Sequence, residues 1–413
     1  MPPLNVSRLS RGWLHPALCG LIASLGIGLA APAAAQFTPN EKLVSPNPAL
    51  IDAEFSQSRA KFVWTDPNGN LWLSDVNRAT GAFEPISGHG QGTPIATGTV
   101  SKMNMFLWNG PEWISMASGD QIHYSYYLPG KPATAANTRM AISVQDKTGQ
   151  WVKKELGPLN VPRMADVASS TKGDTNAQIM YFDPQYNHYW RNVADASSER
   201  LLTFLPAENK AWRFANGMRA ILYTQPANGI PQVFRYLLDT DLSEQLTFDS
   251  GIKDPNRTVP WMWPAPEFNN EMVMSTFVHG SELRVYRQLP VPGGALQWTP
   301  IYSAALPAGS TAGSPQWLVY NGKSYVYFVV YVSPNDYPSE VWISSIDAAA
   351  PLMRRISDNT LARVRNDPEA FITTNYGPLI YYNRYDPSVD PAHPLCSACS
   401  EGVFRADPGL LGR

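Results

Sequence analysis

Short apolar runs alternate with turn-forming residues along nearly the whole chain from about residue 40 onward, and few stretches carry a helical period. The runs are rich in Val, Ile, Tyr, Phe and Trp and are bounded by Gly, Pro, Asn and Asp, the pattern of strands joined by tight turns. "KFVWTDPNGNLWLSDV", residues 61–76, shows the unit well: two strands joined by Pro-Asn-Gly-Asn, whose Asn and Gly tolerate positive φ. The same hairpin, or its first strand, returns in "QIHYSYYL", "QIMYFDPQYNHYWRNV", "RAILYTQPANGIPQVFRYLL", "EMVMSTFVHGSELRVYRQL", "KSYVYFVVYVSPNDYPSEVWISSI" and "GPLIYYNRYDPSVDPAHPLCSACSEGVFRA".

Most of these hairpins have one more short strand before them and one after. Four antiparallel strands repeated every fifty residues or so predict a β-propeller. Units begin near residues 48, 110, 161, 210, 264, 313 and 366, which gives seven blades, with six or eight as alternatives. The seventh unit lacks an evident fourth strand. The segment "QFTPNEKLV" is placed to supply it and close the ring, removing the exposed sheet edges. The expected fold is therefore all-β, a single propeller domain over residues 36–413.

Residues 1–35 read as a signal peptide: Arg8 and Arg11, then the apolar "ALCGLIASLGIGLA", then small residues up to Ala35. An exported product, periplasmic or extracellular, is expected. Without the leader's two arginines the formal net charge moves from -2 to -4, which argues against a nucleic-acid partner. Nothing later is apolar for long enough to span a bilayer. Oligomeric state is left open.

A second periodicity runs through the units. "GPEW" sets Glu112 after Pro111, "APEF" sets Glu267 after Pro266, "SPQW" sets Gln316 after Pro315, and "DPEA" sets Glu369 after Pro368. Glu267 and Gln316 are 49 residues apart, Gln316 and Glu369 are 53. "VPRMAD" contributes Arg163, and "KAWRFAN" contributes Trp212 or Arg213. In a propeller the first strand of each blade lines the central channel, so equivalent positions form a ring. Carboxylates converging there can divide into acid and base if their surroundings separate their pKa values. The structural alternative is that Pro-Glu starts a strand, the glutamate accepting backbone N–H bonds from the next blade. Trp113, Trp212, Trp261, Trp263 and Trp317 flank the ring. Flat aromatic faces beside carboxylates suit sugars, although tryptophan also wedges between blades.

"WPAPEFNN", "SPQWLVYNGKSYVYFVVY" and "NDPEAFITTNYGPLIYY" resemble blade starts of the arabinanase and β-xylosidase propeller glycosidases. The resemblance touches about three blades. It implies hydrolysis of a glycan in the central funnel, with Glu267 or Glu112 as acid and Asp367 or Asp166 as base or tuning carboxylate. Glu369 joins them as a further ring carboxylate, while Arg163, Arg213, Gln316, Trp113, Trp263 and Trp317 would bind substrate. That family has five blades with its base in the first. Here the first unit, "PALIDAEF", offers only Asp52 and Glu54, which stand out of register with the Pro-Glu repeat. A second stretch, "SEQLTFDSGIKDPNRTVPWMWPAPE", resembles the blade junction of TolB-like propellers and speaks to fold alone.

Three places carry rival chemistry. His123-Tyr124 and His188-Tyr189, with Arg163 and Arg191, are the residue types of a seven-bladed polysaccharide lyase. Asp66, Asn68 and Asn70 faintly suggest a calcium loop but lack its later glutamate. Cys396 and Cys399 in "HPLCSACSEG" read as a local disulfide, the alternative being a metal site with His393. No cofactor or metal is expected. A non-catalytic propeller that binds a protein or an envelope glycan is the competing function.

Overall fold

The structure, a computed structural model, describes residues 37–84, 92–99, 110–157, 161–168, 177–203, 213–215, 218–249, 260–332 and 337–412. The expected leader 1–35 and Trp212 lie outside these residues, as do the side chains of Asp166 and Arg213.

Seven antiparallel sheets follow one another along the chain. Their first strands are Ile51–Ser56, Glu112–Met116, Met164–Ala168, Arg213–Phe214, Trp261–Ala265, Thr311–Tyr320 and Val364–Thr373, defining blades 1 to 7. Each first strand touches the first strands of the blades before and after it, and that of blade 7 touches that of blade 1. The contact ring closes, so these strands wall a central channel. The seven-bladed propeller expected from the strand period is the observed fold.

Apolar residues alternate along the strands so that each sheet presents both faces to its neighbours. One core, with Val273, Phe277, Val326 and Phe328, lies between blades 5 and 6, and Phe62, Trp64, Phe371 and Tyr381 fill the junction of blades 7 and 1. Among the described residues the only helical turns are three 3-10 turns of three residues each.

Blade 7 takes Gly377–Tyr385 and Ser400–Ala406 as second and third strands, and its fourth is Glu41–Ser45 from the other end of the chain. Glu41 pairs with Ala406, and Leu43 with Phe404. The closing strand Glu41–Ser45 thus comes from the segment singled out in the sequence and runs one residue beyond its end at Val44.

The hairpins explain their own sequences. In blade 1, Asp66 accepts the N–H groups of Asn68 and Asn70 through one oxygen, and the Asn70 amide and Trp72 indole through the other. Asp183 in blade 3 does the same with Gln185, Asn187 and the Tyr189 hydroxyl. Asp-Pro-x-x-Asn-x-Trp/Tyr is thus a hairpin lock. The carboxylate that suggested a calcium loop is occupied by its own turn. At the rim of blade 7 the sulfurs of Cys396 and Cys399 are at bonding distance, with Cα atoms 5.1 Å apart. His393 faces Asp390 instead, and no metal-ligating cluster exists among the described residues.

Candidate functional site

The channel wall carries a repeated β-bulge. In blade 1, Ile51 opposes Thr65 but Glu54 opposes Val63, three steps against two. The same slip separates Ala165 from Ala168 in blade 3, Gly313 from Gln316 in blade 6, and Asn366 from Glu369 in blade 7. Its first residue is left-handed in blades 1, 6 and 7: Asp52 at φ 56°, Ser314 at 45°, Asp367 at 58°. Asp tolerates that region better than most residues. A bulge also re-aims the side chains beyond it.

The bulge puts Asp52-Ala53-Glu54, Ser314-Pro315-Gln316 and Asp367-Pro368-Glu369 in one register. Gly110-Pro111-Glu112 has the same form just ahead of the blade 2 strand. Asp52 and Glu54, which looked out of phase because alanine replaces the proline, therefore belong to the ring. An Asp-x-Glu spacing, read without insisting on proline, would have found them.

Electrostatics brings these residues into one neighbourhood. Burial, and after it Glu369, Glu112, Asp52 and Asp367, push the Glu54 carboxyl well above the usual carboxylate range. The residue is part-exposed on the first strand of blade 1. Four carboxyl groups from blades 1, 2 and 7 thus act on Glu54. The Gln316 amide donates to Glu369 Oε1 at 3.1 Å. Beside them the buried Tyr327 phenol is pushed far up by burial and by Glu369, Glu54 and Asp367.

Glu267 is not in this ring. The first strand of blade 5 begins at Trp261, directly after Pro260, and ends at Ala265. Glu267 lies beyond its far end, in a 3-10 turn that leads to the second strand. Here the Pro266-Glu267 pair follows the strand instead of opening it. Its carboxylate accepts the Ser324 N–H at 2.8 Å and the Ser324 hydroxyl at 2.9 Å, across the junction with blade 6. The Trp263 indole donates to the same hydroxyl.

The other expected substrate contacts are spread through the blades. Arg163 precedes the blade 3 strand, is buried, pairs with Glu199 at 3.2 Å and lies over the Tyr189 ring. Trp113 is buried between blades 1 and 2 and donates to the Glu54 carbonyl. Trp263 is wholly buried, stacked on Trp317 at 5.3 Å. These three tryptophans are wedges between blades. Asp166 sits in the blade 3 bulge and Arg213 opens the blade 4 strand by backbone register. The lyase residues are interior: His123 is 0% and His188 2% exposed. Burial, with Arg191, lowers His123 to about 3, and burial against the pull of Asp183 lowers His188 to about 4. A surface depression of about 360 Å³ on the outer strands of blade 5 is lined by Glu282, Arg284 and Tyr302. There Arg284 already pairs with Glu282 and Asp249.

No protein-family profile matches the chain, and no curated protein matches it. Solved structures do. The β-propeller domain of Cps50 (Swd1) from Myceliophteria thermophila is 9% identical, with a TM-score of 0.52 over 90% of this chain and 99% of that one. TolB from Acinetobacter baumannii is 15% identical, with a TM-score of 0.36 over 72% and 78%. Dipeptidyl peptidase 4 from Porphyromonas gingivalis is 11% identical, with a TM-score of 0.41 over 82% and 51%. The glycosidase resemblance loses its footing on the fold itself, which has seven blades where that family has five, and one of its three blade starts is a hairpin turn. At these identities the likeness is one of architecture: the chain is a seven-bladed β-propeller with TolB among its structural neighbours.

Proposed function

We propose that this protein is an exported, non-catalytic binding propeller whose channel takes a cationic group, such as a basic side chain of a partner or an organic amine. The observation that carries the reading is that the part-exposed Glu54, Glu112, Asp367 and Glu369 lie on the channel-lining first strands of three adjoining blades, with Glu54 and Glu369 at the same step of the bulge. A cation placed among carboxylates relieves the repulsion that helps to raise the Glu54 pKa. Among the described residues no three of them are arranged to ligate one metal ion. An extended organic cation, touching several carboxylates in turn, suits the geometry better. Export rests on the expected leader, and no helix among the described residues is long and apolar enough to cross a membrane.

The test is calorimetric titration with spermidine and with a short Arg-rich peptide. Binding should release protons and tighten as the pH rises through the Glu54 pKa. A Glu54→Gln, Glu369→Gln double variant should bind about tenfold more weakly or worse. Equal affinity for wild type and double variant would sink the reading.

A second reading keeps carbohydrate hydrolysis, with a glycan or small carbohydrate as ligand, because Glu54 would remain protonated beside ionisable Glu112 and Glu369. A proton donor next to a carboxylate is what glycoside cleavage uses. In this reading the acid is Glu54, and Glu267 has a bracing role. Release of nitrophenol from chromogenic glycosides, lost in Glu54→Gln, would favour it over simple cation binding.

A further inference from the structure

The closing strand Glu41–Ser45 pairs with one neighbour, Ser400–Ala406. Its side chains are half-buried or exposed, Leu43 at 51%, and only Val44 packs on the adjoining core. Five residues of that kind bury too little apolar surface to hold a strand in place. Glu41 is different. Its side chain is 2% exposed and reaches past its pairing partner to the rest of the blade. It accepts from Arg365 Nε of the first strand at 2.8 Å, from the Tyr382 hydroxyl at 2.9 Å and Arg384 of the second strand, and from the Asp358 N–H at 3.1 Å. One carboxylate gathers the first and second strands of blade 7 and the loop that enters it.

We propose that Glu41–Ser45 is a detachable strap with Glu41 as its latch, so that the ring opens at blade 7 before the other six blades unfold. Elements held by few buried apolar contacts open locally at a fraction of the global free energy. Release bares the hydrogen-bonding edge of Ser400–Ala406, which then accepts another extended strand.

The surroundings define how to isolate the latch. Arg365 and Arg384 face it on the basic side. Glu401 bridges Arg363 at 3.0 Å and Arg384 at 2.6 Å, Asp386 pairs with Arg363, and Asp358 stands beside Arg365. Burial works to raise the Glu41 pKa, and Arg365, Arg384 and Tyr382 outweigh it and hold it low. The latch is therefore set above the usual carboxylate range and lost as the pH falls through its folded value. Asp358, held low by the Thr360 N–H, and Asp386, held low by Ser388, titrate in the same acid range. Acid alone does not single out Glu41. Glu41→Gln does.

The experiment is hydrogen exchange by mass spectrometry on the full chain at pH 7. In Glu41→Gln the amides of residues 42–45 and of their partner strand should exchange at least tenfold faster, with the strands of blades 3 to 5 unchanged. Unchanged exchange at 42–45, or uniform acceleration throughout the ring, overturns the proposal. If Glu41→Gln does not fold, Arg384→Gln weakens the latch while leaving the Arg365 bond. The same local acceleration is then expected, and a uniform one overturns it.

Discussion

The Oδ2 atom of Asp52 lies 1.4 Å from the point where a Cβ on Gly110 would stand. Blade 1 thus places a carboxylate inside the space that blade 2 leaves by lacking a side chain. Asp52 is 4% exposed. Gly110→Ala should destabilise the fold by about 2–4 kcal/mol through overpacking at the junction of blades 1 and 2. Asp52 has positive φ, which glycine accepts. Asp52→Gly should therefore recover much of the loss when combined with Gly110→Ala, a non-additivity that a double-mutant cycle in urea would measure.

Glu54 gives a prediction about pH. Its folded pKa is raised, by burial first and by four neighbouring carboxyls after it. A group raised on folding contributes stability at low pH and loses it as the pH climbs through the folded value. Glu54→Gln should therefore flatten the stability profile on the alkaline side and raise Tm at pH 8 by roughly 2–4 °C. A variant less stable than wild type at pH 8 would mean that the charged form is wanted by the fold.

Glu267 is expected to behave as a brace. Its two bonds to Ser324 join blades 5 and 6 beneath the Trp263–Trp317 stack. Glu267→Ala should lower stability by about 1.5–3 kcal/mol, the range for hydrogen bonds to a charged group, and leave cation binding in the channel unchanged. Because the Ser324 hydroxyl serves both Glu267 and Trp263, Ser324→Ala should couple to Glu267→Ala in a double-mutant cycle. Additive effects would mean the two side chains act independently.

The hairpin locks make parallel expectations in two blades. Asp66→Ala and Asp183→Ala each remove an acceptor of four hydrogen bonds. Each should destabilise by about 1–3 kcal/mol. Burial works to raise the Asp66 pKa, while Asn70, Trp72 and Asn68 lower it further than burial lifts it. Its contribution is present above the ordinary aspartate range and is lost as acid protonates it. Asn variants, which keep one acceptor oxygen, should recover part of the stability, and thermal melts at pH 7 and pH 4 would check both statements.

The architecture was legible because period, turn chemistry and strand pattern agreed. Even the closing strand could be foreseen from the missing fourth strand of blade 7. The pairing of Cys396 with Cys399, whose sulfurs lie at bonding distance, was expected because these two cysteines alone remain after the leader. The ring was legible only in part. Proline made Glu112, Gln316 and Glu369 visible, and all three do lie in channel-lining first strands. The same signal misled at Pro266-Glu267, because proline suits the first position of a 3-10 turn as well as the entry to a strand. Asp52 and Glu54 were missed for the converse reason: the bulge that aligns them is a matter of backbone register, and alanine adopts it without leaving a mark in composition. Tryptophan carried no positional information, since a wedge between blades and a platform for a ligand look alike in one dimension.

The pairing of Glu41 with Ala406 also orders events in time. The closing strand emerges among the first residues of the folded region, and its partner among the last. During synthesis, six blades can assemble on near neighbours, while Glu41 waits for Arg365, Tyr382 and Arg384. Joining them closes a loop that contains almost the whole domain, the slowest kind of contact to find by diffusion. Until that moment blade 7 keeps an unpaired edge. Refolding should accordingly end in a slow phase that belongs to blade 7, and that interval is when the chain is most exposed to pairing with another copy of itself.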